Sequence, residues 1–515
     1  MHWSNFLVFG LYVALMVGIA IYTRNKAKNV DDFVLAGKKG INGWMSAFSY
    51  GTTYFSAVIF IGYAGKFGWN FGLAAVWIGI GNALIGALLA WKILAKKTKN
   101  MTVRLNSKTM PDFFEKRYES PSLKILSSII VFLFLIPYSA SVYNGIGNLF
   151  QIMFGIDGRI IVIGLAVLTA FYLIFGGYFA TSLSDFVQGV IILAGVIVMI
   201  VCFMGSAQVN GIQGLKILTS QGFGFFEEYG NNGFLNSPLV ILISLVGLTS
   251  FGVYGLPQTV HKYYAVRDGK AVKQGMIVST IFALVVGFIA YFIGGLGHLF
   301  FAELPQGGTD NLIPIMLNQV IPNGLSGLIA VLMLSASMST LASVSLSAAS
   351  TLSVDLYKHL NPKASSEKVT LFMRIICFVF IAISVVIAIL NSKFNITAIA
   401  FLMSLSWGTL SGCFFGPFVL GLYNKKLTKA SAFASVIGGL VFTAVCTVVF
   451  GVCDLGFSAG FGKILQAGVN HSPLTGCLCM VFSIIVALVV SKFTKPVSPE
   501  ALYEAFEKPI ENEIK

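Results

Sequence analysis

An all-α membrane protein that crosses the bilayer many times is the fold class this sequence predicts, and three observations predict it. Only 10% of its 515 residues are charged, against about a quarter in ordinary soluble domains. Apolar runs of about 20 residues recur along the whole length, the run a helix needs to cross hydrocarbon. The strict apolar–polar alternation of a membrane β-barrel is absent. A mean hydropathy of +0.85 agrees with these.

The runs predict thirteen spans, near 5–23, 42–65, 71–92, 122–150, 158–178, 183–206, 236–260, 273–301, 323–350, 369–391, 395–422, 430–450 and 472–491. The first is not a cleaved signal, because it is long, no small-x-small site follows it, and a basic loop comes next. The largest pieces outside the spans are the loops 207–235 and 451–471 and the acidic tail 499–515. No separate soluble domain is expected, so residues 1–515 read as one transporter-sized membrane unit.

The net charge of +14 reports orientation rather than a nucleic-acid partner. Of 34 Lys and Arg, 29 fall in one set of alternate loops: Arg24 to Lys39, Lys92 to Lys124, Lys262 to Lys273, Lys358 to Arg374, Lys425 to Lys429, and the tail from Lys492. The opposite side keeps Lys66, Arg159, Lys216, Lys393 and Lys463. By the positive-inside rule the basic loops are cytoplasmic, which places the N-terminus outside a cell membrane and the C-terminus inside. The seven cysteines show no CxxC or zinc-type spacing, and no structural disulfide is expected.

Within the spans, polarity is concentrated in a few places. The second span reads SYGTTYFSAVIFIGYAG from Ser49, crowding hydroxyls against Gly51, Gly62 and Gly65. The seventh holds LTSFGVYGLPQT, with Gly252, Gly255 and Pro257. Glycine permits unwinding and proline removes a backbone donor, so both spans are expected to be interrupted. Carbonyls freed at such a break need partners, and lining a polar site is one way to supply them. The two interrupted spans are five apart, so each opens a five-helix unit, 42–206 and 236–422, and the odd offset inverts one unit relative to the other. Broken helices at equivalent places in inverted halves are the mark of a secondary transporter's binding site.

The ninth span, LSASMSTLASVSLSAASTLS, sets Ala336, Ser339, Thr340, Ser343 and Ser347 on one helical face. Close helix packing through small residues is the competing explanation. A monovalent hard cation wants several oxygens, which carbonyls and hydroxyls provide without a carboxylate. Unwound backbone at Thr52–Phe55 and the hydroxyls of Ser339 and Thr340 fit that need. Asp185, in TSLSDFVQG, is the carboxylate nearest the membrane interior. A helix N-cap is one reading of it and a place on an ion path another, and they do not exclude each other.

At these residues the sequence resembles the sodium:solute symporter family. The resemblance spans nearly the whole chain and is carried by DDFVLAGKKGINGW, the polar second span, GGYFATSLSDFVQG, MST within SASMSTLAS, VDLYKHLNP and GPFVLGLYNKKLTKASA. It implies a five-plus-five inverted repeat like that of LeuT, and Na⁺-coupled import of a small organic solute by alternating access. The implied Na⁺ ligands are the carbonyls of Thr52, Phe55 and Ala336 and the side-chain oxygens of Ser339 and Thr340, with Asp185 on the exit path.

The branches nearest in look are the sodium/pantothenate and sodium/proline symporters. Tyr54 and Thr249 stand where proline carriers of the family have Asp and Trp, which favours pantothenate or another monocarboxylate. Proline, another amino acid or a sugar is the alternative. Tyr54, Ser56, Thr249, Tyr254 and Trp407 are the candidate solute-lining residues. No intramembrane Arg or Lys is expected to meet a substrate carboxylate, which leaves the partly positive N-termini of broken helices to do so.

Other classes fit less well. A membrane enzyme wants intramembrane His, Asp or Cys clusters, but His2, His261, His298, His359 and His471 are scattered at edges and loops. A sensor wants a signalling domain, and a channel has no need of paired broken helices. The solute, Na⁺ and the bilayer are the expected partners, with neither nucleic acid nor an obligatory protein among them.

Overall fold

The computed structural model describes residues 3–27, 29–37, 40–226, 235–394, 398–510 and 514. Parts of the loop 207–235, of the GKKG turn, of the start of the eleventh expected span and of the acidic tail lie outside the described residues. Helices make up the described chain, and its sole β contact among the described residues is an isolated bridge between Ile41 and Val266.

The long helices, in order, are α1 (Trp3–Thr23), α2 (Gly43–Tyr54), α3 (Ile59–Arg104), α4 (Pro121–Phe154), α5 (Gly158–Met204), α6 (Pro238–Phe251), α7 (Pro257–Tyr264), α8 (Gly269–Gly295), α9 (Ser326–Ser350), α10 (Ser366–Phe394), α11 (Ile399–Val419), α12 (Lys429–Leu455) and α13 (Ser472–Phe493). Shorter helices, Ile212–Ser220, Thr309–Val320 and Phe461–Asn470, lie in the connections.

By length and composition, ten helices among the described residues can cross a membrane, or eleven if α6 and α7 count as one bent span. The count of thirteen is not confirmed in this way. The difference lies in α3 and α5, which run 46 and 47 residues, where about 20 suffice for one crossing. Each contains a glycine in a conformation closed to other residues: Gly72 at φ 57°, ψ −137° and Gly177 at φ 56°, ψ −148°. The expected boundaries, between residues 65 and 71 and between 178 and 183, fall beside these two turns.

Burial sorts the helices into a centre and a shell. In α9 and α11, 89% of the most apolar window is buried, whereas α1 and α12 bury 28% and face outward. α9 packs on α5 and α4, and α8 lies against α2 and α3. Small residues allow that closeness, as expected where van der Waals packing drives helix association. A Cβ on Gly294 of α8 would stand 2.1 Å from the Ala64 carbonyl oxygen of α3. Gly294→Ala therefore forces the two backbones apart, at an expected cost of about 1–3 kcal/mol for overpacking. Its check is a lower unfolding temperature of the purified protein, with Gly10→Ala as the silent control, since a Cβ there meets nothing within 4 Å.

Candidate ion and solute site

Both sequence-predicted breaks are present, the first narrower than expected, because Thr52–Tyr54 remain helical. α2 stops at Tyr54, Phe55 leaves helical geometry at φ −102°, ψ 86°, and the chain resumes helix at Ala57. Ser56 opens the second half: its carbonyl accepts from Ile59 N at 3.0 Å and its hydroxyl from Val58 N at 3.3 Å. α6 ends at Phe251, a single tight turn covers Gly252–Tyr254, and α7 begins at Pro257 after a bend of 42°. Proline suits that first helical turn, where its missing N–H leaves no bond unmade.

The ninth-span hydroxyls meet the first break. Ser339 Oγ lies 3.2 Å from the Thr52 carbonyl oxygen, 2.9 Å from that of Ser335 and 3.2 Å from that of Ala336. Thr340 Oγ1 also lies 3.2 Å from the Thr52 carbonyl oxygen. Four of the five sequence-predicted Na⁺ ligands, Thr52, Ala336, Ser339 and Thr340, thus converge. The fifth, Phe55, is the residue three positions on at which the backbone leaves helical geometry. The arrangement is an all-oxygen, uncharged cluster buried in protein.

The solute candidates divide. Tyr54 donates its hydroxyl to the Thr249 carbonyl at 2.6 Å and so ties the first broken helix to the second. Its ring lies 6.0 Å from that of Trp407 on α11. Trp407 also meets Tyr138 of α4 edge to face at 5.7 Å. Tyr138 and Trp407 are buried, and the Tyr138 hydroxyl is close to Ser56, Thr340 and the Trp407 indole N–H. Thr249 and Tyr254 are occupied elsewhere. The Thr249 hydroxyl lies 2.7 Å from both Asn82 Oδ1 and the Leu245 carbonyl oxygen. Tyr254 donates to the Ile85 carbonyl at 2.8 Å and stacks on Phe415.

Two expectations are corrected. Asp185 is no N-cap: it lies inside α5, eight residues past the turn at Gly177. Lys262, expected in a basic loop, is on α7 and only 1% exposed. Its ammonium lies 2.8 Å from Ser49 Oγ, 2.8 Å from Ser343 Oγ and 3.5 Å from Asp185 Oδ2. Ser49 donates to the same carboxylate oxygen at 2.5 Å, and the Ser343 and Thr53 hydroxyls are 2.8 Å apart. A buried lysine therefore does stand among the helices, one turn of α9 from Ser339 and Thr340, paired with the protein's own carboxylate. Sequence reasoning missed Lys262 because hydropathy averages it into the charged loop that follows. The signal was its position, five residues past Pro257 on the same helix. Tyr138 was missed although Pro137, Ser139, Ser141, Tyr143 and Asn144 mark a polar stretch in the fourth span.

The profile of the sodium:solute symporter family matches residues 33–439. Among characterised relatives, the osmoregulated proline transporter OpuE of Bacillus subtilis (strain 168) is 26% identical over 492 residues, covering 94% of each chain. A sodium/proline symporter of Staphylococcus aureus is 26% identical over 507 residues, covering 96% of this chain and 93% of the relative. Among solved structures, the fold is similar to that of a Na⁺-coupled sialic acid symporter in a substrate-bound outward-open state. The TM-score is 0.74 at 18% identity, over 96% of this chain and 99% of that one. Mhp1, a nucleobase-cation-symport-1 family transporter in a closed conformation, aligns with a TM-score of 0.52 at 13% identity, over 93% and 99%. Two broken helices, an oxygen cluster where the first of them meets α9, and a match over most of the length lead to one conclusion: the chain belongs to the sodium:solute symporter family, as a multi-pass membrane transporter whose coupling ion is Na⁺.

Proposed function

We propose that the chain imports a small carboxylate-bearing solute, proline ahead of pantothenate, on a Na⁺ gradient. One observation carries the ion site: the hydroxyls of Ser339 and Thr340 both reach the Thr52 carbonyl at the end of a broken helix. In this reading Na⁺ replaces those hydroxyl contacts, held by the carbonyls of Thr52, Phe55 and Ala336 and by the two side-chain oxygens. A neutral ligand set of this kind holds the ion without trapping it. Asp185, the carboxylate on the expected exit route, acts there through its pairing with Lys262 rather than as a direct Na⁺ ligand. The units 42–206 and 236–422 act as inverted halves that rock about the site, with the Lys- and Arg-rich loops on the cytoplasmic face of the cell membrane.

The solute lies against Tyr54, Ser56 and Trp407, with Tyr138 as the added member. Its carboxylate takes the Trp407 N–H and Tyr138 O–H, which lie close together and buried, and its apolar body stacks on the aromatic rings. Lys262 is not available to it, being paired with Asp185. The sequence alone ranked pantothenate first, from Tyr54 and Thr249; the proline-carrying relatives support the reverse order. Tyr54 suits either solute, because its hydroxyl is spent on Thr249 and brings no charge to the site.

Uptake of labelled L-proline into proteoliposomes tests the ranking, with excess pantothenate, lactate or a sugar as competitor. The expected result is Na⁺-dependent proline uptake that cold proline abolishes and a sugar leaves intact. Absence of proline uptake, with pantothenate accumulating instead, overturns the order. Trp407→Ala is expected to weaken solute binding at least about tenfold, in line with the loss of a buried aromatic anchor. The readout is a raised solute concentration at half-maximal uptake.

A further inference from the structure

We propose that Lys262 is a tethered cation occupying what is otherwise a second Na⁺ site, so that the chain binds one Na⁺ where its oxygen framework has room for two. The inference rests on the Na⁺ site proposed above. The cage is made by three elements. Asp185 comes from α5, Ser49 from α2 and Ser343 from α9, and each places a side-chain oxygen on the Lys262 ammonium, at 3.5, 2.8 and 2.8 Å. All four residues are buried, with Asp185 and Ser49 at 0% exposure. Asp185 Oδ1, equally buried, makes no hydrogen bond and is a further oxygen for a cation.

A carboxylate with two hydroxyls is a stronger cation ligand set than the neutral cluster one turn away along α9. A free Na⁺ would therefore choose the cage first, were it open. The ammonium carries the same single charge, meets the same oxygens and cannot diffuse away. It also repels a second cation from Asp185 at short range and low dielectric. Ser343 joins the two places: it receives the ammonium on one side and meets the Thr53 hydroxyl, beside Thr52, on the other. The lysine thus neutralises Asp185 without contributing a moving charge, and the ratio expected is one Na⁺ per solute.

Equilibrium binding of radioactive Na⁺ to the purified full chain in choline buffer tests this. The wild type is expected to bind one Na⁺ per chain, and Lys262→Ala two. Adding Asp185→Asn to Lys262→Ala returns the count to one. Two Na⁺ on the wild type, or one on a Lys262→Ala chain that melts cooperatively, overturns the proposal. If Lys262→Ala does not fold, the wild-type count and Lys262→Gln, which keeps the length without the charge, decide in the same way. Failure of the neutral site is separable from failure of the cage. Zero Na⁺ on the wild type refutes the neutral site alone, and the Lys262→Ala chain then reads one Na⁺ if the cage is a cation site and none if it is not.

Discussion

Replacing Ser339 and Thr340 together by Ala raises the Na⁺ concentration needed for half-maximal uptake on the order of 30-fold or more. Each hydroxyl is an ion ligand in this account, and losing one leaves a buried charge under-coordinated at a cost of about 1–3 kcal/mol. Two such losses combine to a minimum of about 2 kcal/mol, and each 1.4 kcal/mol is tenfold in affinity. Folding is expected to survive, because Ser339 also lies on the Ser335 carbonyl of its own helix, which keeps its backbone partner without it. Thr340→Ser keeps the oxygen and stays near the wild type. Unchanged Na⁺ dependence in the double variant would return these hydroxyls to the packing role that small residues play between membrane helices.

Removing Lys262 is the second large effect. Taking one partner from a buried ion pair leaves the other charge uncompensated, at about 3–5 kcal/mol. Lys262→Ala is therefore expected to lower the unfolding midpoint clearly in choline buffer, where no small cation can take the cage. Na⁺ should restore much of the loss. Asp185→Asn combined with Lys262→Ala should be less destabilised in choline than the sum of the two single variants, since each single variant strands its partner. Additive losses, with no Na⁺ effect on Lys262→Ala, would show that the 3.5 Å contact carries little energy.

Much of this site was legible in the sequence, for a physical reason. Gly and Pro favour backbone breaks inside a membrane: Gly252, Gly255 and Pro257 mark the second break, while the first falls at Phe55–Ser56, between Gly51 and Gly62, which are themselves helical. The hydroxyls that meet the first break recur at helical spacing along α9, so Ser339 and Thr340 could be placed on its face in advance. Side-chain direction was not legible. Whether Thr249 or Tyr254 turns toward the break depends on what packs around it, and Asn82, Ile85 and Phe415 claim them. Nor was the reach of α7 legible: the seven buried residues after Pro257 include a lysine that charge counting assigns to a loop. The divisions at Gly72 and Gly177 were legible, since the expected span boundaries fall beside these two positive-φ glycines.

The claim that Na⁺ at the Thr52–Thr340 cluster drives solute uptake is tested most directly by labelled proline accumulation in proteoliposomes, under an inward Na⁺ gradient or an equal K⁺ gradient. The account predicts accumulation above equilibrium with Na⁺, none with K⁺ or choline, and a Ser339→Ala/Thr340→Ala variant that accumulates only at far higher Na⁺. Equal accumulation in Na⁺ and K⁺ would contradict it.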